Sequence, residues 1–508
     1  MENTRFEEEK GKAFCWPALR GPPSGSGGPR IWDVLGPPDA FAVVEERKKV
    51  IFMYDTLIVG GRIPDFDAGA LVPAELALEG GKIAALLSPG ERPQARRVVD
   101  ADGKVVSPGF IDLHMHEEEF AQGGRRYDIS EYMARQGVTT CVGGNCGQQN
   151  HPLAEFKDIL RDNGGAPVHY IMLTGYNAIR EAEGLGWYDA APAALRKRIQ
   201  SRLSGELEEG AWGLSFGLEY SPGISEEEMT QAVEAVRCFD PFVSIHFRAD
   251  CEGCMASLEE MARLSRRTGC RVQVSHLSSL AGTAHNMPAA LTFLAREIGE
   301  NPLLGYDTYP YTAFCTGIGT AVFDGDWRAK WGVDYDAILL LHAPYMGQRC
   351  TRELYEKVRR ESPEVNVVAF AMEEESIRAA VANPAGLLGS DGSISGGSLG
   401  HPRAAGTFPR ILGKYVREEG ALTLMEALDK MTRRAARRLG LPRKGEVAPG
   451  MDADLVIFDP DTIADGAKFT DITCSNRGID MVLVSGVPTV EGGVLTDALP
   501  GGFLSRTH

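Results

Sequence analysis

Two histidines, His114 and His116, stand one residue apart at the end of an apolar run, Val105 to Leu113. Residues i and i+2 of a strand point to the same face, so two imidazoles are aimed at one point where a buried strand stops. Four further candidate ligands, Cys146, His246, His276 and Asp391, each follow another short apolar run. Imidazole, thiolate and carboxylate are the donors a zinc-type ion takes. Ligands gathered from the C-terminal ends of several strands are how a (β/α)8 barrel builds an active site. The pattern implies the chemistry of a metal-dependent hydrolase.

A metal of this kind lowers the pKa of a bound water from 15.7 to about 7, enough for attack on an unactivated amide at neutral pH. A carboxylate beside that water takes its proton and passes it to the leaving nitrogen. Asp391 fits that post, because Leu387 to Ser390 deliver it to a tight turn before Gly392. Each residue also has a plainer reading. A lone histidine is more often structural, and His151, His169, His285, His342 and His508 are placed in that class. Cys146 alone would be a buried small hydrophobe, but Gly143-Gly144-Asn145-Cys146-Gly147 after a β-branched strand favours a ligand. Asp391 alone could be a helix cap; beside the other five it reads as catalytic. Cys251-x-x-Cys254 has no second pair at zinc spacing and reads as accidental.

The elements that must hold these residues alternate. Strand candidates are Val106 to Leu113, Val138 to Val142, Val168 to Leu173, Gly213 to Phe216, Val243 to His246, Val272 to Ser275, Leu304 to Tyr309 and Leu387 to Gly389. Eight strands with helices such as Glu226 to Cys238 and Met255 to Thr268 between them match the barrel count. Lys330 to Glu361 reads as a mostly helical excursion beside the mouth, and Leu422 to Leu439 as one closing helix. Both flanks are β-rich. Ala74 to Leu86 predicts two strands joined at Gly80-Gly81, and Val98 to Val106 a hairpin around Asp102-Gly103. Asp454 to Phe458, Met481 to Gly486 and Val487 to Val490 predict short strands at the other end. The expected architecture is α/β: a β-sandwich from 53–104 and 441–508 around a catalytic barrel, 105–440. Residues 1–52, with Gly21 to Pro29 rich in Gly, Pro and Ser, cannot bury a core and are expected to be a disordered, dispensable extension. A mis-assigned start is one explanation for them, and a chain beginning at Met53 is expected to fold and act.

The composition, 43% hydrophobic and 24% charged over 508 residues, is that of an ordinary globular protein. No apolar stretch reaches the roughly 18–20 residues of a membrane span. A net charge of −17 argues against nucleic-acid or acidic-membrane partners and leaves a small molecule as the expected one. An anionic substrate then needs a local cation. Ten cysteines scattered without a small-domain disulfide pattern, and no signal-peptide layout, predict a cytoplasmic protein.

From Met53 onward the chain resembles the amidohydrolase superfamily and, within it, the N-acyl-D-amino-acid deacylases (D-aminoacylases). The general marks are SPGFIDLHMH at 107–116 and GEVAPGMDADLVIFDPD at 445–461. The particular ones are GVTTCVGGNCG at 137–147, GAWGLSFGLEYSPG at 210–223, HFRAD at 246–250, VSHL at 274–277, YDTYPYTA at 306–313 and the long run 389–418. The resemblance implies that His114, His116 and Asp391 hold one metal, and that Cys146, His246 and His276 hold a tightly bound zinc. A second, weaker ion is compatible with that set. It places Cys146 where many relatives use a carboxylated lysine. The sequence agrees, since Lys157 and Lys197, the lysines between Lys104 and Lys330, both fall on helical stretches. It also implies that Tyr309 and Arg403 contact the substrate carboxylate. Ser278 and Cys315 depart from the pattern, standing where a lysine and a serine are common.

The expected function is zinc-dependent hydrolysis of N-acyl-D-amino acids to a carboxylate and a D-amino acid, with Asp391 as base and then acid. The alternatives are a cyclic-amide hydrolase of hydantoinase type or a D-dipeptidase on the same site, and an inactive barrel serving as a scaffold.

Overall fold

The structure, a computed structural model, describes residues 53–116, 120, 127–283, 285–394 and 399–506. The extension 1–52 and His508 lie outside the described residues. Eight parallel strands form the central sheet: β1 (Phe110–Asp112), β2 (Val138–Gly143), β3 (His169–Gly175), β4 (Gly213–Gly217), β5 (Phe242–His246), β6 (Arg271–Val274), β7 (Leu304–Thr308) and β8 (Leu387–Leu388). Each pairs in parallel with the next in chain order, and β8 pairs with β7. The ring closes between β8 and β1 just past their ends. Asp391 N–H donates to the His114 carbonyl (2.7 Å) and His116 N–H to the Gly392 carbonyl (2.9 Å). All eight strands are wholly buried apart from the first residue of β6. This is why they read as continuous apolar runs rather than as alternating ones.

The run expected as the first barrel strand divides at Gly109. Val105–Pro108 pairs with Leu455–Phe458 in a separate seven-stranded sheet, and the barrel begins at Phe110. A side chain at Gly109 would lie 2.1 Å from Thr139 Oγ1, so the chain can pass that close to β2 only as glycine. The seven-stranded sheet takes strands from both flanks of the barrel, Arg62–Asp65, Ala70–Pro73 and Val105–Pro108 from one side and Leu455–Phe458 to Leu495 from the other. A four-stranded sheet made of Tyr54–Val59, Glu75–Glu79, Lys82–Leu87 and Ala95–Asp100 accompanies it. A second apolar core, including Ile58, Leu76, Val106, Leu455 and Leu483, draws residues from both sheets. Ala95–Asp100 and Val105–Pro108 do not form the expected hairpin, because the turn at Asp102-Gly103 carries the chain from one sheet to the other.

Two helical expectations also change. Within 330–361 only Trp327–Trp331 and Arg352–Glu361 are α-helical at the ends. Ile338–Leu340 between them joins Phe314–Gly317 and Asn366–Ala369 in a small antiparallel sheet. The closing helix is two, Leu424–Met431 and Arg433–Leu439, broken at Thr432, whose side chain bonds back to the Leu428 carbonyl (2.6 Å). Among the described residues no helix is long and apolar enough to cross a membrane.

Candidate metal centre and substrate pocket

Each candidate ligand stands at the C-terminal end of a barrel strand. His114 and His116 follow β1, Cys146 follows β2, His246 ends β5, His276 follows β6 and Asp391 follows β8. Cys146, His276 and Asp391 adopt left-handed backbone, at φ 55°, 35° and 52°. Such a conformation costs a non-glycine residue about 1–3 kcal/mol and persists where the surroundings over-determine it. The surroundings do so here. Asp307 accepts the His276 N–H (2.8 Å), and Asp391 N–H is held by the closing bond to β1. Cys146 is carried by Gly144, whose added Cβ would lie 2.0 Å from the Leu173 carbonyl.

The side chains converge. Cys146 Sγ lies 3.3 Å from His114 Nε2 and 3.4 Å from His276 Nε2, and His116 Nε2 lies 3.2 Å from Asp391 Oδ1. Two donor groups result, His114 with His116, Cys146 and Asp391, and Cys146 with His246 and His276; within each, the ligand atoms lie within 4.8 Å of one another. Cys146 is thus common to both groups, whereas the sequence reading assigned it to the second alone. His246 Nδ1 is buried without a hydrogen-bond partner, while its Nε2 faces Glu219 Oε2 at 3.2 Å. A buried thiol, four imidazoles, a carboxylate and an orphaned ring nitrogen fit a divalent ion of the softer, zinc-like kind.

Electrostatics support the same reading. Burial pushes the Cys146 thiol up, but His114 and His276 outweigh it and hold it well below its ordinary value. Burial pulls His116 and His246 down, yet Asp391 and Cys146 raise the first to about 9, and Cys146 and Glu219 raise the second to about 9. The thiolate and the carboxylates thus draw positive charge to this point, held here as protons on His116 and His246 that a divalent ion would displace. Burial likewise raises Asp391, and Arg403 and His276 reverse this, keeping the carboxylate ionised.

Arg403 is 2% exposed, and its Nη1 lies 2.6 Å from Asp391 Oδ2. The pair is close but not a directed hydrogen bond, because Nε and Nη1 both lack an acceptor. Nη2 reaches the Cys315 carbonyl (3.3 Å), and the guanidinium sits 4.9 Å from the centre of the Tyr309 ring, whose buried hydroxyl also has no partner. Of the glycine-rich stretch 396–400 that precedes Arg403 in the sequence, 396–398 lie outside the described residues.

The family described as "Amidohydrolase family" matches residues 97–281 and 365–490. The chain belongs to that family. This amidohydrolase is 30% identical over 492 residues to the D-aminoacylase of Alcaligenes xylosoxydans xylosoxydans, covering 89% of this chain and 98% of the relative. It is 31% identical over 459 residues to the N-acyl-D-glutamate deacylase of the same organism, covering 85% and 93%. Among solved structures it resembles the N-acyl-D-glutamate deacylase of Bordetella bronchiseptica, solved with zinc and a phosphonate that mimics the tetrahedral intermediate. That match has 29% identity, a TM-score of 0.79, and covers 90% of this chain and all of the other.

All eight residues singled out in the sequence of this amidohydrolase meet at one mouth. Three carboxylates behind them were not singled out. Asp307 accepts from Gln273 (3.0 Å) and lies 3.5 Å from His114 Nδ1, turning Nε2 toward Cys146. Asp112 accepts the N–H groups of His114 (3.1 Å) and Ser390 (2.8 Å), tying the two ends of the ring together. Glu219 orients His246. Each stands at, or within two residues of, a strand end, which was the available signal; an acid there reads equally well as a loop or cap residue. Of the five histidines placed in the structural class, the four that are described have structural partners: His151 with Glu155, His169 with Ser485 and His285 with Glu373, while His342 packs against Tyr345. Cys251 and Cys254 are buried, and burial pushes their thiols up to about 11 and about 12, which disfavours metal binding.

Proposed function

We infer that this amidohydrolase is a zinc-dependent enzyme that hydrolyses N-acyl-D-amino acids, releasing a carboxylate and a D-amino acid. The observation that carries this reading is the buried Arg403. A buried guanidinium whose Nε has no acceptor and whose Nη1 is held only by the ion pair to Asp391, next to the unpartnered Tyr309 hydroxyl and beside the donor cluster, suits a carboxylate one short reach from the reacting amide. Relatives named for this reaction support it. When bound, the ion supplies the Lewis acidity that lowers the pKa of water and polarises a carbonyl. His114, His116, Cys146, His246, His276 and Asp391 would hold it. Asp391, ionised, takes the proton of the attacking water as the C–O bond forms at the acyl carbon. It then gives that proton to the nitrogen as the C–N bond breaks. Arg403 and Tyr309 hold the α-carboxylate, so the amide is presented in one orientation.

The cyclic-amide reading uses the same donors, but a hydantoin-type ring has no free carboxylate for Arg403. The inactive-scaffold reading is disfavoured because all six donors are present. A kinetic panel of N-acetyl-D- and N-acetyl-L-amino acids, with zinc and with a chelator, tests the proposal. Zinc-dependent turnover of D-substrates is expected; turnover of L-substrates alone, or activity that survives full metal removal, would sink it.

A further inference from the structure

At the other end of the barrel, where the strands begin, a cavity of about 340 Å³ opens between the closing helix Arg433–Leu439 and the starts of β6, β7 and β8. Its floor is apolar, with Ile298, Leu303, Leu304, Ala385 and Leu387. Its charged lining is four arginines, Arg271, Arg434, Arg437 and Arg438; among the described residues no carboxylate lines it. In a chain of net charge −17 such a concentration of cations runs against the overall field. Like charges gathered at one cavity repel unless an anion stands between them.

The four are not equally provided for. Arg271 pairs with Asp240 (2.6 Å) and Arg437 with Glu446 (3.0 Å), and neither acid faces the cavity. The second pair is exposed, so it holds Arg437 only weakly. Arg438 is a clamp. It donates to the carbonyls of Val272 (2.5 Å), Leu303 (2.9 Å) and Pro302 (3.3 Å) and to Gln273 Oε1 (3.0 Å). A side chain at Gly305 would lie 2.9 Å from its guanidinium, so glycine makes the room for it. Carbonyls occupy its hydrogens but leave its charge uncompensated. Arg434 reaches the Ala385 carbonyl (3.3 Å), while the neighbouring Asp429 is taken by Arg433 (2.7 Å). Among the described residues neither Arg434 nor Arg438 has a carboxylate partner. Burial, with Arg271 adding, pulls Arg438 down to about 9, and burial, with Arg433 adding, pulls Arg434 down as well. Both remain cations at neutral pH without a counter-ion.

Two unpaired cations above an apolar floor suit one ligand that carries two negative charges and an apolar or planar body. A phosphomonoester has a charge of about −1.5 to −2 at pH 7 and three strong acceptor oxygens, which guanidinium forks match. A monocarboxylate would compensate only one of the two. We propose that this cavity binds a small phosphomonoester of the nucleotide kind. Arg434 and Arg437 donate to the phosphate, Arg271 and Arg438 add charge, and the floor takes the body. A ligand so held ties the closing helix to the starts of three strands. The site lies away from the metal donors and does not depend on the reaction proposed above.

Isothermal titration of the zinc-loaded, full-length enzyme with AMP, inorganic phosphate and octanoate tests the assignment. AMP should bind saturably, about tenfold or more tighter than phosphate, which lacks the body, and than octanoate, which has a single charge. Arg434→Gln combined with Arg437→Gln should weaken AMP by about 30-fold or more, with the Arg438 clamp left intact. If the double variant does not fold, Arg434→Gln alone should weaken AMP by about tenfold. AMP bound at the metal centre instead would be indifferent to these substitutions. Thermal melts give a second reading. AMP at about a hundredfold above its Kd should raise the wild-type Tm by about 3 °C and leave the double variant unmoved. Absence of saturable AMP binding, or binding undiminished in the folded variants, would overturn the proposal. Octanoate bound as tightly as AMP would overturn the phosphate assignment, and phosphate bound as tightly as AMP would remove the part given to the apolar floor.

Discussion

At the scale of single residues, the proposed chemistry turns most on Cys146 and Arg403. Cys146 is the donor shared by both groups, so Cys146→Ala should cost both. The variant should fold, because the sulfur sits in a pre-shaped turn, but it should retain little metal and lose turnover. Metal content of the purified protein decides this, and unchanged zinc with retained activity would remove Cys146 from the site. Arg403 faces two carboxylates, Asp391 at 2.6 Å and, by the proposed function, that of the substrate. Arg403→Lys keeps the charge but loses the fork. A loss of roughly 2–5 kcal/mol, about 30- to 5,000-fold in kcat/KM, is expected on N-acetyl-D-amino acids. Their amides, which lack the charge and start as poor substrates, should change far less. Equal losses on acid and amide with metal still bound would mean that Arg403 acts through Asp391 and not through the substrate.

At the scale of elements, strand ends and their turns place the donors. Gly144 has φ 72° and no room for a side chain against the Leu173 carbonyl. Gly144→Ala should therefore lower stability by more than about 2 kcal/mol and displace Cys146. Denaturant melts together with metal analysis test both parts. The helix Leu424–Met431 offers a pH signature remote from the site. Lys430 donates to the carbonyls of Val381 (2.7 Å) and Asn383 (2.5 Å), and burial, with Arg434 adding, pulls its ammonium down to about 7. Between pH 7 and its ordinary value near 10.5, the unfolded chain binds more protons at this residue than the folded one, so folding gains stability as pH rises. Wild-type stability should increase relative to Lys430→Met over that interval. A flat difference between the two Tm profiles would show that Lys430 keeps an ordinary ammonium.

At the scale of the whole molecule, the barrel rests on a β-structure drawn from both of its flanks. One buried joint connects them. Asp454, beside the strand Leu455–Phe458, pairs with Lys444, accepts the Ser485 N–H (2.7 Å) and lies 3.6 Å from His169 at the start of β3. This is the face of the barrel opposite the site, where residues serve stability. Asp454→Asn leaves Lys444 with only the longer contact to Asp452 (3.4 Å) and should cost about 3 kcal/mol. The kcat/KM of the folded fraction should stay near wild type; a large loss of activity without a loss of stability would contradict a purely structural joint.

The sequence by itself brought out the candidate donors and determined their scaffold. His114-x-His116 and the single candidates at later strand ends were legible because the strands are buried on both faces. They therefore stand out as short apolar runs, and a polar residue just past such a run is conspicuous. What the sequence could not show were relations between distant segments. That Cys146 serves both donor groups depends on where β1, β5, β6 and β8 close around it. The roles of Asp307, Asp112 and Glu219 depend on which backbone or ring each carboxylate meets. The break of the first apolar run at Gly109 is set by contact with Thr139 on the next strand. Lys330 reaches Glu219 and Asp250 from a segment 111 residues beyond Glu219 and from outside the barrel repeat, so no spacing rule points to it. Local pattern records which faces are buried; only the closed ring decides which side chains share a charge.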